Sequence, residues 1–206
     1  MGMILANRNI RGSGEKRLSD IWVRWGALTK SLISTRIAIE REKSFWRDLD
    51  FTSKAQLRLK NAVRDSKLTV KLAEHVEALG DEDTILAATF VLSYALAEAE
   101  ALDRLHLDAR HTSGVEDWGT RLLLGAERTW SDVPDGLAGA VEVGVVRNLI
   151  VHGETTLDAK SHTRLVKAGC MTYQVGDRIH LDYAQVAAYR TRLRNLLTAG
   201  GLGAGR

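Results

Sequence analysis

The stretch EVGVVRNLIVHG, residues 142–153, sets an apolar helical run against three polar side chains at its end. A helix turns about 100° per residue, so Asn148 and His152, four apart, share one face, and the amide can orient the imidazole. Arg147 and His152 are five apart, about 140° round the same helix. One straight helix does not aim both at one atom, whereas two copies packed helix to helix line one cleft with both. The spacing therefore suits a symmetric dimer. Gly153 stands where helices commonly stop in a left-handed conformation, which puts His152 in the last turn, where the helix dipole favours a protonated ring. A histidine tuned near neutrality serves as general acid or base, and a guanidinium beside it holds a phosphate and stabilises developing negative charge. The same residues also fit a structural reading, with Arg147 in a salt bridge and His152 as a helix cap.

Outward from this stretch the chain reads as helices. Pro134 is the only proline, so long uninterrupted helices are allowed. Ser131 or Asp132 ahead of Pro134 starts the motif helix, expected over 134–152. Before it, a helix fits residues 115–129. Asp81 caps another, 82–107, whose run ILAATFVLSYALA (85–97) is apolar nearly all round and reads as the central buried element. A first helix over 15–49 places Leu18, Ile21, Trp22, Trp25, Leu28, Leu32 and Ile39 on one side, with Arg24, Lys30, Arg36, Arg41 and Arg47 on the other. Thr52 or Ser53 offers a cap for a second helix over 54–79, with Leu59, Val63, Val70, Ala73 and Val76 on one face. After the motif the period changes: MTYQV (171–175) and RIHLD (178–182) alternate around Gly176-Asp177 and read as a small β-hairpin. Asp182, with Gln185 as capping-box partner, then opens a last helix over 183–198. The expected fold is thus mainly all-α, a helical bundle with a small β-hairpin before the last helix. Its expected parts are a flexible N-terminal tail (1–14), a basic helical region (15–79), a helical core (80–198) and a glycine-rich tail (199–206).

Composition narrows the classes. Apolar residues are 45% and charged residues 27% of the chain, near the globular average, which argues against a disordered chain. The longest uncharged apolar run, 84–97, is too short for a membrane span, and the N-terminus lacks a signal-peptide pattern. Cys170 is the only cysteine, so neither an intrachain disulfide nor a cysteine-based zinc site is available, and a reduced cytoplasmic protein is expected. The net charge of +3 divides unevenly: residues 1–79 hold 16 Lys and Arg against 9 Asp and Glu, and residues 80–206 hold 13 against 17. A basic half favours a polyanion such as RNA, and equally fits a solvated helix face.

Arg147-Asn148-Leu-Ile-Val-His152 resembles the Arg-polar-x-x-x-His signature of HEPN domains, and the surrounding VVRNLIVHGE is similar to the commonest form of that motif. The resemblance covers residues 82–198 and includes the apolar helix bearing Ser93, Tyr94 and Glu98, the hairpin and the final helix. An Arg five residues before a His is expected about 0.6 times by chance in this composition; an Asn directly after that Arg lowers the expectation to roughly 0.015. The resemblance implies a homodimer paired through the motif helix, and metal-independent cleavage of RNA by its own 2′-hydroxyl, leaving a 2′,3′-cyclic phosphate and a 5′-hydroxyl. It implies His152 as general acid–base, Arg147 as transition-state stabiliser and Asn148 as positioning group, with no cofactor. It further implies a toxin or anti-phage role, with an antitoxin or regulatory protein as a further partner. The alternative within the family is a non-catalytic module that binds RNA or a protein. HEPN toxins paired with nucleotidyltransferase antitoxins often carry a Tyr two residues after the His, where this chain has Glu154.

Other candidates carry less. Glu98 and Glu142 are second-tier site residues, since a carboxylate near the motif serves chemistry or simply pairs with an arginine. His106, Asp108 and His111 lack the spacing of a helical metal site. His75, His162 and His180 are isolated. Trp22, Trp25 and Trp46 suit base stacking, or a core or dimer interface. No Walker A loop, dinucleotide-binding glycine pattern or GxSxG is present.

Overall fold

A computed structural model describes residues 13–49, 58–60, 69–108, 110 and 112–203. The helices are α1 (Ser13–Trp46), α2 (Leu72–Gly80), α3 (Glu82–Leu105), α4 (Val115–Gly125), α5 (Gly136–Val151), α6 (Ala159–Lys167) and α7 (Tyr183–Leu197). A two-stranded antiparallel ladder, β1 (Arg58–Lys60) with β2 (Thr69–Lys71), precedes α2. The chain is mainly helical, as expected.

Helix α3 is the spine. Leu86, Phe90, Tyr94, Ala97 and Ala101 lie on one stripe and are buried. Its start is capped by Asp81, whose carboxylate accepts from the Thr84 N–H at 3.1 Å. By length and composition α3 is the one helix among the described residues that is apolar enough to cross a bilayer, and half of its most apolar window is buried inside the bundle. It is not buried all round, because Leu92 on the opposite side is exposed. Helix α1 delivers Ile21 and Trp25 to the same core, while Arg24, Lys30, Arg36 and Arg41 face outward.

Helix α5 lies between two apolar clusters. Ala140, Val143 and Val146 join the main core of α3, α4 and α7. Val141, Val145 and Leu149 join a second cluster with Leu157, Leu165 and Cys170. Residues 139–146 are therefore buried on every side. Gly144 makes this possible: a Cβ there would lie 3.0 Å from Val115 Cγ1 and 3.4 Å from Arg164 Nη2.

Three expectations are corrected. The helix expected over 54–79 exists only as α2. Arg58–Lys60 and Thr69–Lys71 pair as strands, and residues 54–57 and 61–68 lie outside the described residues. The alternation Leu57-Arg58-Leu59-Lys60 and the β-branched Thr69-Val70 suit a ladder better than a helix. The hairpin expected at 171–182 keeps its turn, where the Asp177 N–H donates to Gln174 O at 3.1 Å, but its arms do not pair with each other. Instead the segment after the turn pairs with the segment leaving α5. The Leu157 N–H donates to Asp177 O, and the Gly176 and Ile179 N–H groups donate to Leu157 O and Thr155 O, at 2.8–2.9 Å. Burying Leu157 brings residues 155–157 alongside this segment, and their unpaired backbone groups capture it.

The third correction concerns the glycine-rich C-terminus. Up to Gly203 it belongs to the core. Thr198–Leu202 continue α7 as a wide turn, Leu202 is buried, and its carbonyl accepts from Trp22 Nε1 at 3.0 Å. Gly200 is required there because a Cβ would fall 2.4 Å from Leu122 Cγ. Residues 1–12 of the expected N-terminal tail, and residues 204–206, lie outside the described residues.

Replacing Gly200 by Ala is expected to lower unfolding stability by about 1–3 kcal/mol, the usual cost of overpacking a buried site. Urea unfolding checks this. A variant as stable as the parent would mean that the C-terminal turn does not pack on Leu122.

Candidate functional site

The end of α5 is the first place on this helix where polar side chains escape burial. Arg147 and Asn148 are half-buried and His152 is exposed. The helix stops as its sequence requires. Gly153 is left-handed at φ +72°, and the Glu154 N–H donates back to Leu149 O at 2.8 Å.

Arg147 and His152 turn to different sides, as five residues of helix dictate. The Arg147 guanidinium lies over the Tyr94 ring of α3, its Cζ 5.2 Å from the centroid. Its Nη1 donates to Asn148 Oδ1 at 2.9 Å, its only hydrogen bond among the described residues, and its buried Nε has no partner there. Asn148 was expected to orient His152. It holds Arg147 instead, because the neighbouring guanidinium is the stronger donor. The stacked arginine keeps most of its donors unspent, which suits recognition of an oxyanion.

His152 and Asn148 open onto a groove of about 920 Å³ between α5 and α6. The floor includes Leu137 and Leu149, and the wall is the polar face of α6: Lys160, Thr163, Arg164 and Lys167. Asp158 starts α6 by accepting from the Ser161 N–H at 2.7 Å. Arg164 is committed to Glu116 of α4, with Nε to Oε1 and Nη2 to Oε2 both at 2.5 Å. Helix α6 was missed in the sequence. Only Leu165 of its nine residues is buried, so its apolar signal is faint; the cap Asp158 followed by Lys160, Arg164 and Lys167 was the available sign.

The second-tier carboxylates separate. Glu142 is only 7% exposed and points away from the groove. It pairs with Arg192 Nη1 at 2.8 Å and accepts from the hydroxyls of Tyr189 at 3.1 Å and Tyr173 at 3.3 Å. That geometry is structural, a buried charge matched by a cation and two donors. Burial pushes the Tyr189 hydroxyl far up, and the Tyr173 and Glu142 contacts add to this. Glu98 is half-buried on α3, one turn beyond Tyr94. Burial, aided by the Glu98 charge, pushes the Tyr94 phenol up to about 12.

The remaining candidates fall elsewhere. His106 ends α3 in the left-handed region at φ +54°, and His111 lies outside the described residues. Trp25 is in the core, and Trp46 Nε1 donates to Glu42 at 2.7 Å.

Two outcomes follow from these placements. Removing Glu142 strands Arg192 and Tyr189, so Glu142→Ala should cost about 3 kcal/mol, the low end for a broken buried pair because Arg192 also reaches Asp135. The exposed Glu154→Ala should stay within about 0.5 kcal/mol of the parent. Equal stability of the two variants in urea would overturn the structural assignment of Glu142. Tyr94 holds its proton more tightly folded than unfolded. Its contribution is therefore complete below the unfolded value of about 10 and is lost as pH rises through the folded value of about 12. Between those limits the parent should lose roughly 2 kcal/mol more than Tyr94→Phe. Urea titrations at about pH 9 and about pH 11.5 measure that difference; parallel curves would contradict it.

No protein-family model, curated protein or solved structure matches the chain.

Proposed function

We propose that the chain is a HEPN-type, metal-independent RNA endonuclease of toxin or defence type, acting as a homodimer. The observation that carries this reading is the end of α5. Arg147 is held by Asn148 and the Tyr94 ring with donors to spare, and an exposed His152 stands one turn on, beside an open groove. In the reaction, the imidazole takes the proton of a ribose 2′-hydroxyl as that oxygen attacks the adjacent phosphorus. The P–O5′ bond breaks, a proton returns to O5′, and a 2′,3′-cyclic phosphate and a 5′-hydroxyl remain. Arg147 balances the charge that builds on the non-bridging oxygens.

Residues 139–146 are buried within one chain. The pairing this chemistry requires therefore brings together the C-terminal turns of two α5 helices, not their full lengths. The second reading, a non-catalytic module that binds RNA or a protein, is favoured by the separation of Arg147 and His152 within one copy. If copies do not pair, neither residue meets the other.

The test is cleavage of RNA by the purified protein in EDTA, beside His152→Ala and Arg147→Ala. The expected result is cyclic-phosphate ends and a loss of at least about 100-fold in rate for each variant. An inert parent that still binds RNA or a protein would replace the enzyme reading with the binding module. Equal cleavage by all three would place the activity outside these residues.

A further inference from the structure

The groove beside His152 has a size suited to a nucleotide-sized ligand, about 920 Å³. Its charges are not equivalent. The Glu116 carboxylate is consumed by Arg164 in a two-point pair, so both are neutralised and serve to hold α4 to α6. Asp158 is occupied as the cap of α6, and Glu154, exposed just beyond the end of α5, is the one lining carboxylate with neither an ion pair nor a side-chain hydrogen bond among the described residues. Lys160 and Lys167 are exposed and form no ion pair among the described residues. They stand seven residues apart on the groove face of α6, two turns and about 10 Å along its axis. That is too far for one phosphate and suits two. Across the groove, α5 presents Leu137 and Leu149, about 18 Å apart along its axis, as apolar points against which separate bases can lie.

We propose that this groove is the subsite for the single-stranded RNA flanking the cleaved bond, with Lys160 and Lys167 on two different phosphates and separate bases against Leu137 and Leu149. The inference rests on the ribonuclease reading and adds to it the substrate form, an unpaired strand, and the residues that hold it. An A-form duplex would not lay base faces on these leucines, because its bases are stacked on one another.

Binding of a 2′-O-methyl single-stranded RNA, which lacks the attacking hydroxyl, is measured by fluorescence anisotropy across a salt series. The full-length parent is compared with Lys160→Ala/Lys167→Ala and with Arg24→Ala/Lys30→Ala, which removes the same charge from α1, outside the groove. The groove variant is expected to lose about tenfold or more in affinity, and its log–log salt slope should be shallower by about 1.4, the share of two single-strand phosphate contacts. The α1 variant is expected to keep both. A groove variant that binds like the parent, or an equal loss in the α1 variant, overturns the subsite. Cleavage of unmodified RNA is followed in parallel. A parent that cleaves while the groove variant binds and cleaves equally well removes the subsite and leaves the ribonuclease reading standing. A parent that neither binds nor cleaves removes both. Loss of an acidic protein ligand in the groove variant, with no RNA bound by the parent, would reassign the groove to protein docking.

Discussion

Helix α5 is packed from both sides, and the placement of nearly every polar group near it follows from that constraint. Ala140, Val143 and Val146 face one apolar cluster while Val141, Val145 and Leu149 face another. A polar side chain in such a stretch costs free energy unless its partners come with it. Glu142 is the one carboxylate there, and it brings Arg192, Tyr189 and Tyr173. Free polar groups can appear only where the flanking elements end. Arg147, Asn148 and His152 occupy that exit.

The buried and half-buried arginines show how the chain separates structural charge from available charge. Arg164 is locked to Glu116. Arg190 is buried at the junction of α1, α3 and α7, where it donates to Ser93 and Thr29 hydroxyls at 2.5 and 2.6 Å and stacks on Trp25 at 4.6 Å. Burial pushes its pKa down, and neutral oxygens with an aromatic face take the place of a carboxylate. Arg147 differs from both. Among the described residues it has one side-chain acceptor and a ring beneath it, and its remaining donors meet no partner there.

The helical skeleton was legible because its signal is periodic and long. Helices α1, α3 and α7 each carry several apolar side chains at helical spacing, with Asp81 and Asp182 capping the last two. Where the signal was short it misled. The lysines and arginines at 58, 60, 64, 67 and 71 resemble the polar face of a helix, yet Arg58–Lys60 and Thr69–Lys71 are strands. The alternation at 171–182 was a sound sign of extended chain, but its partner was residues 155–157. Helix α6 buries only Leu165, too little for an apolar period to register, and only its cap Asp158 and the basic residues after it marked the wall of the groove.

By itself the sequence determined the order and angular separation of the groups on α5. The regular helix sets Asn148 over His152 and turns Arg147 away, whatever surrounds them. It also determined the stop at Gly153, since a local φ of +72° is cheap for glycine. Only the tertiary structure decided what each side chain meets: Tyr94 beneath Arg147, Asn148 drawn to the guanidinium, His152 on the rim of the groove, and Glu142 committed to Arg192. The reason is physical. Helical periodicity is a property of neighbouring residues, whereas a side chain's partner comes from a distant element, α3, α6 or α7, whose approach depends on how the whole core closes.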